Sequence, residues 1–250
     1  MSGSFSPERF IASPGGLVFL DLDTKQLSME LPDEIVYSSG FGEGQDALFD
    51  PVDLIVYNLS LFVCDQTQNR LLQFDQRLNY VGEIVTWSKD HNQRLFPAQA
   101  ALDPRGYILL YSAEYNSIWK GKITEPGFDQ FINLDRETES LVCVKDMAVN
   151  ERSELGLLYP CGQVFRIYSP LGRRLRTVKV EISDPVFLIT LNTTWIVLNR
   201  NGQGQIWGPQ GSKLFQVNSA SDLILDVVPD NNDIILLFQD YLLRMGLNVE

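Results

Sequence analysis

Residues 52–86 read VDLIVYNLSLFVCDQTQNRLLQFDQRLNYVGEIVT. Four short apolar runs, 52–57, 61–64, 70–75 and 80–86, are separated by Asn58-Leu59-Ser60, Gln66-Thr67-Gln68-Asn69 and Gln76-Arg77-Leu78-Asn79. Runs of this length, rich in Val, Ile, Tyr and Phe and bounded by polar clusters, predict strands joined by hairpins. Asn and Ser suit the turns because they bond their own main chain or tolerate left-handed backbone. No helical period of apolar residues shows here or elsewhere in the chain.

The same rhythm recurs on both sides. A second unit runs 99–102, 107–111, 117–122 and 129–133, with Asp103-Pro104-Arg105-Gly106 as its first hairpin turn. Taking Ser13, Asp65, Ser112, Pro160, Arg200 and Asp240 as equivalent points gives intervals of 52, 47, 48, 40 and 40 residues. A four-stranded unit repeating at roughly 40–50 residues is the signature of propeller blades. Each small sheet has two apolar faces that it cannot bury alone, and stacking the sheets radially covers both. At the ends, 10–13, 17–22 and 27–31 read as second, third and fourth strands lacking a first. Correspondingly, 223–228, 234–239 and 241–247 read as the first three lacking a fourth. A strand borrowed between the termini would satisfy both edges. The expectation is an all-β, six-bladed β-propeller whose ring is closed by the N- and C-terminal strands. Five blades is the alternative if a terminal piece is shared. One domain spans 1–250, with 1–9 as a tail.

The stretch Phe49-Asp50-Pro51-Val52-Asp53-Leu54, followed by Leu61-Phe62-Val63-Cys64-Asp65 and Asn69-Arg70-Leu71-Leu72-Gln73-Phe74-Asp75, resembles an NHL repeat. Phe96-Pro97, Asp103-Pro104-Arg105-Gly106-Tyr107-Ile108 and Asn116-Ser117-Ile118-Trp119-Lys120 repeat it more loosely, and Gly40-Phe41-Gly42-Glu43-Gly44 is similar to the linker preceding such repeats. The match covers about residues 40–122; beyond it only strand rhythm remains, and the histidine that helps name the repeat is absent. The resemblance implies a six-bladed propeller in which Asp65, Asn69 and Arg70 fix turns. It also implies a group made up chiefly of binding platforms, with a minority of lyases and hydrolases.

Composition narrows the chemistry. A net charge of −12 argues against nucleic acid or an anionic membrane surface as the main partner, because phosphate binding draws on Lys and Arg. The longest apolar runs, 187–191 and 234–238, fall far short of the roughly 20 residues of a membrane helix. Residues 1–10 hold no apolar signal core, which fits a cytoplasmic protein or an envelope protein whose signal has been removed; the second is favoured. The single histidine, His91, excludes mechanisms needing several imidazoles. It lies in a polar loop, 88–96, and reads as a surface residue. Gly40, Gly42 and Gly44 mimic a phosphate loop only superficially, since no helix follows; Gly202-Gln203-Gly204 reads as a hairpin turn. No cofactor is called for.

Four features remain as candidates. If 143–149 and 155–161 form a hairpin, Cys143 and Cys161 face each other across one ladder. They are then either a disulfide, in an oxidising compartment, or two buried thiols. Cys64 stands alone in a second strand. Between residues 155 and 180 every charge is basic: Arg166, Arg173, Arg174, Arg176 and Lys179. That stretch is either an edge strand protected by charge or a docking patch for an acidic partner. Trp87, Trp119, Trp195 and Trp207 lie near strand ends, for packing between blades or for an aromatic binding face.

The reading is a non-catalytic interaction module, an accessory subunit of a larger assembly in a bacterial envelope, with a protein partner. The candidate contacts are Arg173, Arg174, Arg176 and Lys179 of the basic stretch, and Phe41, Glu43 and His91 in the elaborate connections 38–49 and 88–96. The alternatives are a propeller hydrolase or lyase with a channel metal held by carboxylates and amides, or a binder of a sugar or peptide in the central channel.

Overall fold

The computed structural model describes residues 5–247 apart from Pro32, Ser39, Glu43, 138–140, Gln210 and 219–221. Among the described residues the regular elements are β-strands and two single 3-10 turns, Leu134–Arg136 and Pro160–Gly162. The strands make six antiparallel sheets in chain order. Sheet 1 is β1 (Arg9–Ser13), β2 (Gly16–Asp21), β3 (Gln26–Glu30) and β4 (Ile35–Tyr37). Sheet 2 is β5 (Pro51–Tyr57), β6 (Ser60–Asp65), β7 (Arg70–Phe74) and β8 (Tyr80–Val85). Sheet 3 is β9 (Pro97–Leu102), β10 (Tyr107–Ser112), β11 (Ser117–Lys122) and β12 (Asp129–Asn133). Sheet 4 is β13 (Asp146–Val149), β14 (Leu155–Tyr159), β15 (Val164–Tyr168) and β16 (Arg174–Lys179). Sheet 5 is β17 (Phe187–Leu191), β18 (Thr194–Leu198), β19 (Gln203–Gly208) and β20 (Gly211–Gln216). Sheet 6 is β21 (Asp226–Asp230), β22 (Asp233–Leu237) and β23 (Leu242–Gly246).

The chain divides into two units, Met1–Leu102 with Gly106–Gln130, and Asp103–Arg105 with Phe131–Glu250. Within the first, β1 packs beside β5 and β5 beside β9; within the second, β13 packs beside β17 and β17 beside β21. The second strand of each sheet explains why. In β6, Leu61 and Val63 join a core with Val18, Leu20, Leu27 and Met29 of sheet 1. Its alternate residues Phe62 and Cys64 join one with Ile108, Leu110 and Trp119 of sheet 3. Both faces are therefore dry, so a middle strand reads as an unbroken apolar run, and each large side chain so buried contributes about 1.5–3 kcal/mol. The second unit repeats this, with cores between sheets 4 and 5 and between sheets 5 and 6. The fourth strands β8, β16 and β20 are largely exposed.

The turns carry the repeat in conformational form. The first hairpins of sheets 2 to 6 turn at Asn58, Gly106, Ser153, Asn192 and Asn231. The second hairpins of sheets 1 to 5 turn at Lys25, Asn69, Asn116, Gln163 and Gly202, all at positive φ. Asn and Gly dominate because they enter that region at least cost. Asp65 accepts from the amides of Phe49 and Asp50, Asn69 Oδ1 accepts from Leu95 and Phe96, and Arg70 donates to the Ala47 carbonyl. All three residues do fix turns. A further device joins neighbouring first strands: Asp53 accepts from the Ala100 amide, and Asp146 from the Leu188 amide.

The fold class is that of a six-bladed β-propeller, and six separate sheets decide against five. The N-terminal assignment needs correction. Residues 10–13 belong to a first strand, β1, so Asp21 at the end of β2 is the equivalent of Asp65, and Ser13 is not. Among the described residues sheet 1 has its four strands, β4 being the fourth, and sheet 6 has three. The sequence does not announce β4, because three residues, exposed at both ends, are too few to show an alternation.

Candidate functional site

The basic stretch 173–179 is the turn and outer strand of sheet 4. Its pairing with β15 runs Val164↔Lys179, Phe165↔Val178, Arg166↔Thr177 and Ile167↔Arg176, and then slips, so that Tyr168 faces Arg174. Leu175 is the extra residue of this β-bulge, which bends the strand and re-aims its side chains. Arg176 shares the Phe165–Ile167 face of the sheet, whereas Thr177 and Lys179 lie on the Arg166 face. Arg174 Nη1 reaches Glu137 Oε2 at 2.8 Å, and Arg173 is exposed in the turn, its amide on Ser169 Oγ. The structure thus distributes the four candidate cations over two faces and a turn.

On the Arg176 face, sheets 4 and 5 leave a groove of about 610 Å³. Its floor is Phe165, Ile167, Trp195 and Trp207, and its rim includes Arg152, Glu154, Leu175 and Arg176. Phe165 lies 4.8 Å from Trp207 in an edge-to-face arrangement and 5.8 Å from Trp195. Trp195 is wedged over Gly156 of β14, where any Cβ would collide with its ring. The floor is therefore rigid. The far wall turns from β19 into β20 through Gly208, Pro209 and Gly211, and a Cβ on Gly211 would meet nothing within 4 Å. Glu154 is engaged by the Asn150 amide at 2.7 Å. Among the described residues neither Arg152 nor Arg176 has an acidic partner within ion-pair distance. The groove therefore combines fixed aromatic surface with two cations at its rim.

On the opposite face Arg166 is 1% exposed, its guanidinium 5.0 Å from the Tyr159 ring and 3.9 Å from Glu137. Burial pushes the Tyr159 and Tyr168 phenols up from their ordinary value. This cluster places a carboxylate beside a buried charge inside the sheet. Cys143 and Cys161 are joined as a disulfide, with Cα atoms 6.2 Å apart, tying the segment before β13 to the 3-10 turn after β14. Cys64 is a buried thiol raised by burial and by Asp53, Asp65 and Asp50, and so is unreactive.

The remaining candidates lie in the first unit. Phe41 is 65% exposed and packs edge-on against Phe49 at 5.4 Å. His91 is exposed in its loop, with its amide on Ser88 Oγ. Glu43 lies outside the described residues. Among the described residues no group of three or more His, Cys, Asp or Glu is placed to hold a metal ion. Sequence reasoning found the basic strand and the tryptophans separately. It missed the groove that joins them, whose only local signs were Gly208, Pro209 and Gly211 following Trp207.

No protein-family model matches the chain, and no curated protein matches it in sequence. Among solved structures, a catalytically inactive virginiamycin B lyase from Staphylococcus aureus, crystallised with quinupristin, is similar at a TM-score of 0.71. Its identity is 10%, over 99% of this chain and 82% of that one. YCF48 bound to D1 peptide is similar at 0.66 and 11% identity, over 99% and 81%. PorZ, a surface component of the type-IX secretion system of Porphyromonas gingivalis, is similar at 0.67 and 11%, over 95% of this chain and 30% of its own. These likenesses establish the fold; function has to be argued from the site.

Proposed function

We propose that residues 1–250 act as one NHL-like propeller domain whose role is to bind a protein partner without catalysis, as an accessory subunit of a larger bacterial envelope assembly. The observation that carries this reading is the aromatic groove with two arginines on its rim that have no acidic partner among the described residues. Such a surface suits recognition: rigid aromatic area gives contact at little entropic cost, and guanidinium groups favour carboxylates. The disulfide fits an oxidising compartment. YCF48 and PorZ, a peptide-bound propeller and a bacterial surface component, lend support by analogy of fold.

Two measurements test it. Affinity purification of the chain from its native source, after mild cross-linking, should recover a stoichiometric protein companion; recovery of the isolated monomer counts against the reading. Thermal denaturation with calcium, magnesium or zinc should leave the melting temperature unmoved. A shift of several degrees would redirect the reading to metal-dependent chemistry.

A further inference from the structure

The outer edge of β16 borders the groove and is itself unfilled. The Val180 amide donates to the Gln163 carbonyl. By the alternation of an antiparallel ladder, residues 178 and 176 then also turn their main-chain groups toward β15. The N–H and C=O of Thr177 and Lys179 point the other way, and among the described residues nothing pairs with them there. Side chains at 176 and 178 flank the groove on the same strand, and the bulge adds Leu175, 50% exposed, to that wall. An open ladder edge, an apolar trough beside it and two cations on the rim thus coincide in one place.

Building on the protein-binding reading, we infer that β16 receives an extended acidic segment of the partner by strand addition. The segment's main chain continues sheet 4 through Thr177 and Lys179. One bulky apolar side chain seats between Leu175 and Trp207, and flanking carboxylates meet Arg176 and Arg152. Charge selects the occupant, since a basic segment would meet two guanidinium groups at the rim, with Lys179 on the same strand. Main-chain pairing supplies affinity and the alternate side chains supply selectivity.

The test uses the full chain and a tryptophan-free probe, the acetylated, amidated heptapeptide Glu-Asp-Leu-Phe-Asp-Val-Glu, followed by intrinsic tryptophan fluorescence and calorimetry. Saturable binding is expected below about 1 mM, weakening as salt rises. Replacing the acidic residues of the probe by Lys, or N-methylating alternate amides, should weaken it at least about tenfold. Arg176→Glu should do the same with an unchanged melting curve, because that side chain is exposed. Trp207→Phe, which keeps the aromatic packing, should weaken binding less than Trp207→Ala. Equal binding of the acidic and lysine probes, or none by about 1 mM, overturns the inference, and equal binding of the N-methylated probe overturns strand addition. If the probe fails while a cross-linked companion is still recovered, and is retained by Arg176→Glu, the groove assignment falls and the protein-binding reading stands. If neither probe nor companion binds, both fall.

Discussion

Sheets 2 and 3 meet across a gap of the same kind as the one between sheets 4 and 5, yet one is plugged and the other open. The outer strands β8 and β16 are built alike: each slips register near its start, making Val81 the extra residue in one and Leu175 in the other. The difference lies in the connections. Between sheets 2 and 3 the turn before β12 carries Phe128, which folds over Gly121 and is 1% exposed, and the loop after β8 tucks in Leu95. The two segments are stitched together by the Phe128 amide on the Trp87 carbonyl and the Lys89 amide on the Phe128 carbonyl. Between sheets 4 and 5 the described residues of the equivalent turn are Gly208, Pro209 and Gly211, and none of them is a large apolar side chain like Phe128. The charge follows the same division. Glu83, the charge on β8, is held by Arg70 at 2.8 Å, whereas Arg176 of β16 stands at the rim of an open groove. Among the described residues the groove between sheets 4 and 5 stays open, with the strand architecture unchanged.

The plugged and the open gap respond differently to perturbation. Phe128→Ala removes the plug and should cost about 3–5 kcal/mol of unfolding free energy in denaturant titrations. It should also raise binding of an apolar dye at sheets 2 and 3; a loss under 1 kcal/mol would mean that the plug does not hold this gap shut. Reducing the Cys143–Cys161 bridge should cost about 3 kcal/mol, read as the difference between denaturation curves with and without reductant. Gly156→Ala drives a methyl into Trp195 and should cost about 1–3 kcal/mol while altering tryptophan fluorescence, because it displaces the floor of the open groove. The smallest effect concerns Lys89, whose bridge to Asp129 at 3.0 Å is solvent-exposed. Lys89→Ala should change stability by less than about 1 kcal/mol, showing that main-chain bonds and Phe128 close the plugged gap, with little help from charge.

Stability against pH should bound both units. Burial raises Cys64 above its ordinary 9.0, and Tyr159 and Tyr168 above 10.0. Folding keeps these groups protonated where the unfolded chain ionises, so their contribution is complete below those values and is lost as pH climbs past them. Asp21 and Asp103 behave oppositely. Burial works to raise both, but amide donors to Asp21 and the Arg105 guanidinium beside Asp103 hold them below the ordinary 3.8. Their contribution is complete above that value and fades as pH falls through the lowered one. Thermal melts across pH should therefore show a plateau bounded on both sides; a melting temperature still rising beyond pH 10 would contradict it.

Much of the architecture was legible where local chemistry is strong. Predominantly apolar second strands such as β14 and β18, and left-handed turn residues such as Asn69 and Gly202, mark the repeat directly. So did the hairpin register on which Asp146 pairs with Leu158 and Val149 with Leu155. Legibility failed at β4, whose Ile35-Val36-Tyr37 is too short to carry a period, and at the bulge before Arg176, which no residue type announces. The arginine run is one continuous stretch in the sequence, where nothing marks the alternation of faces or the slip that sets Arg174 off from Arg176.

By itself, then, the amino-acid order determined that the chain is a series of small sheets, since apolar alternation, strand length and turn chemistry act over a few residues. Only tertiary structure decided where the surface is left unfilled. That depends on whether a side chain such as Phe128, or a glycine such as Gly211, comes to lie over a neighbouring sheet. Such a meeting joins residues far apart in sequence and leaves no period to read.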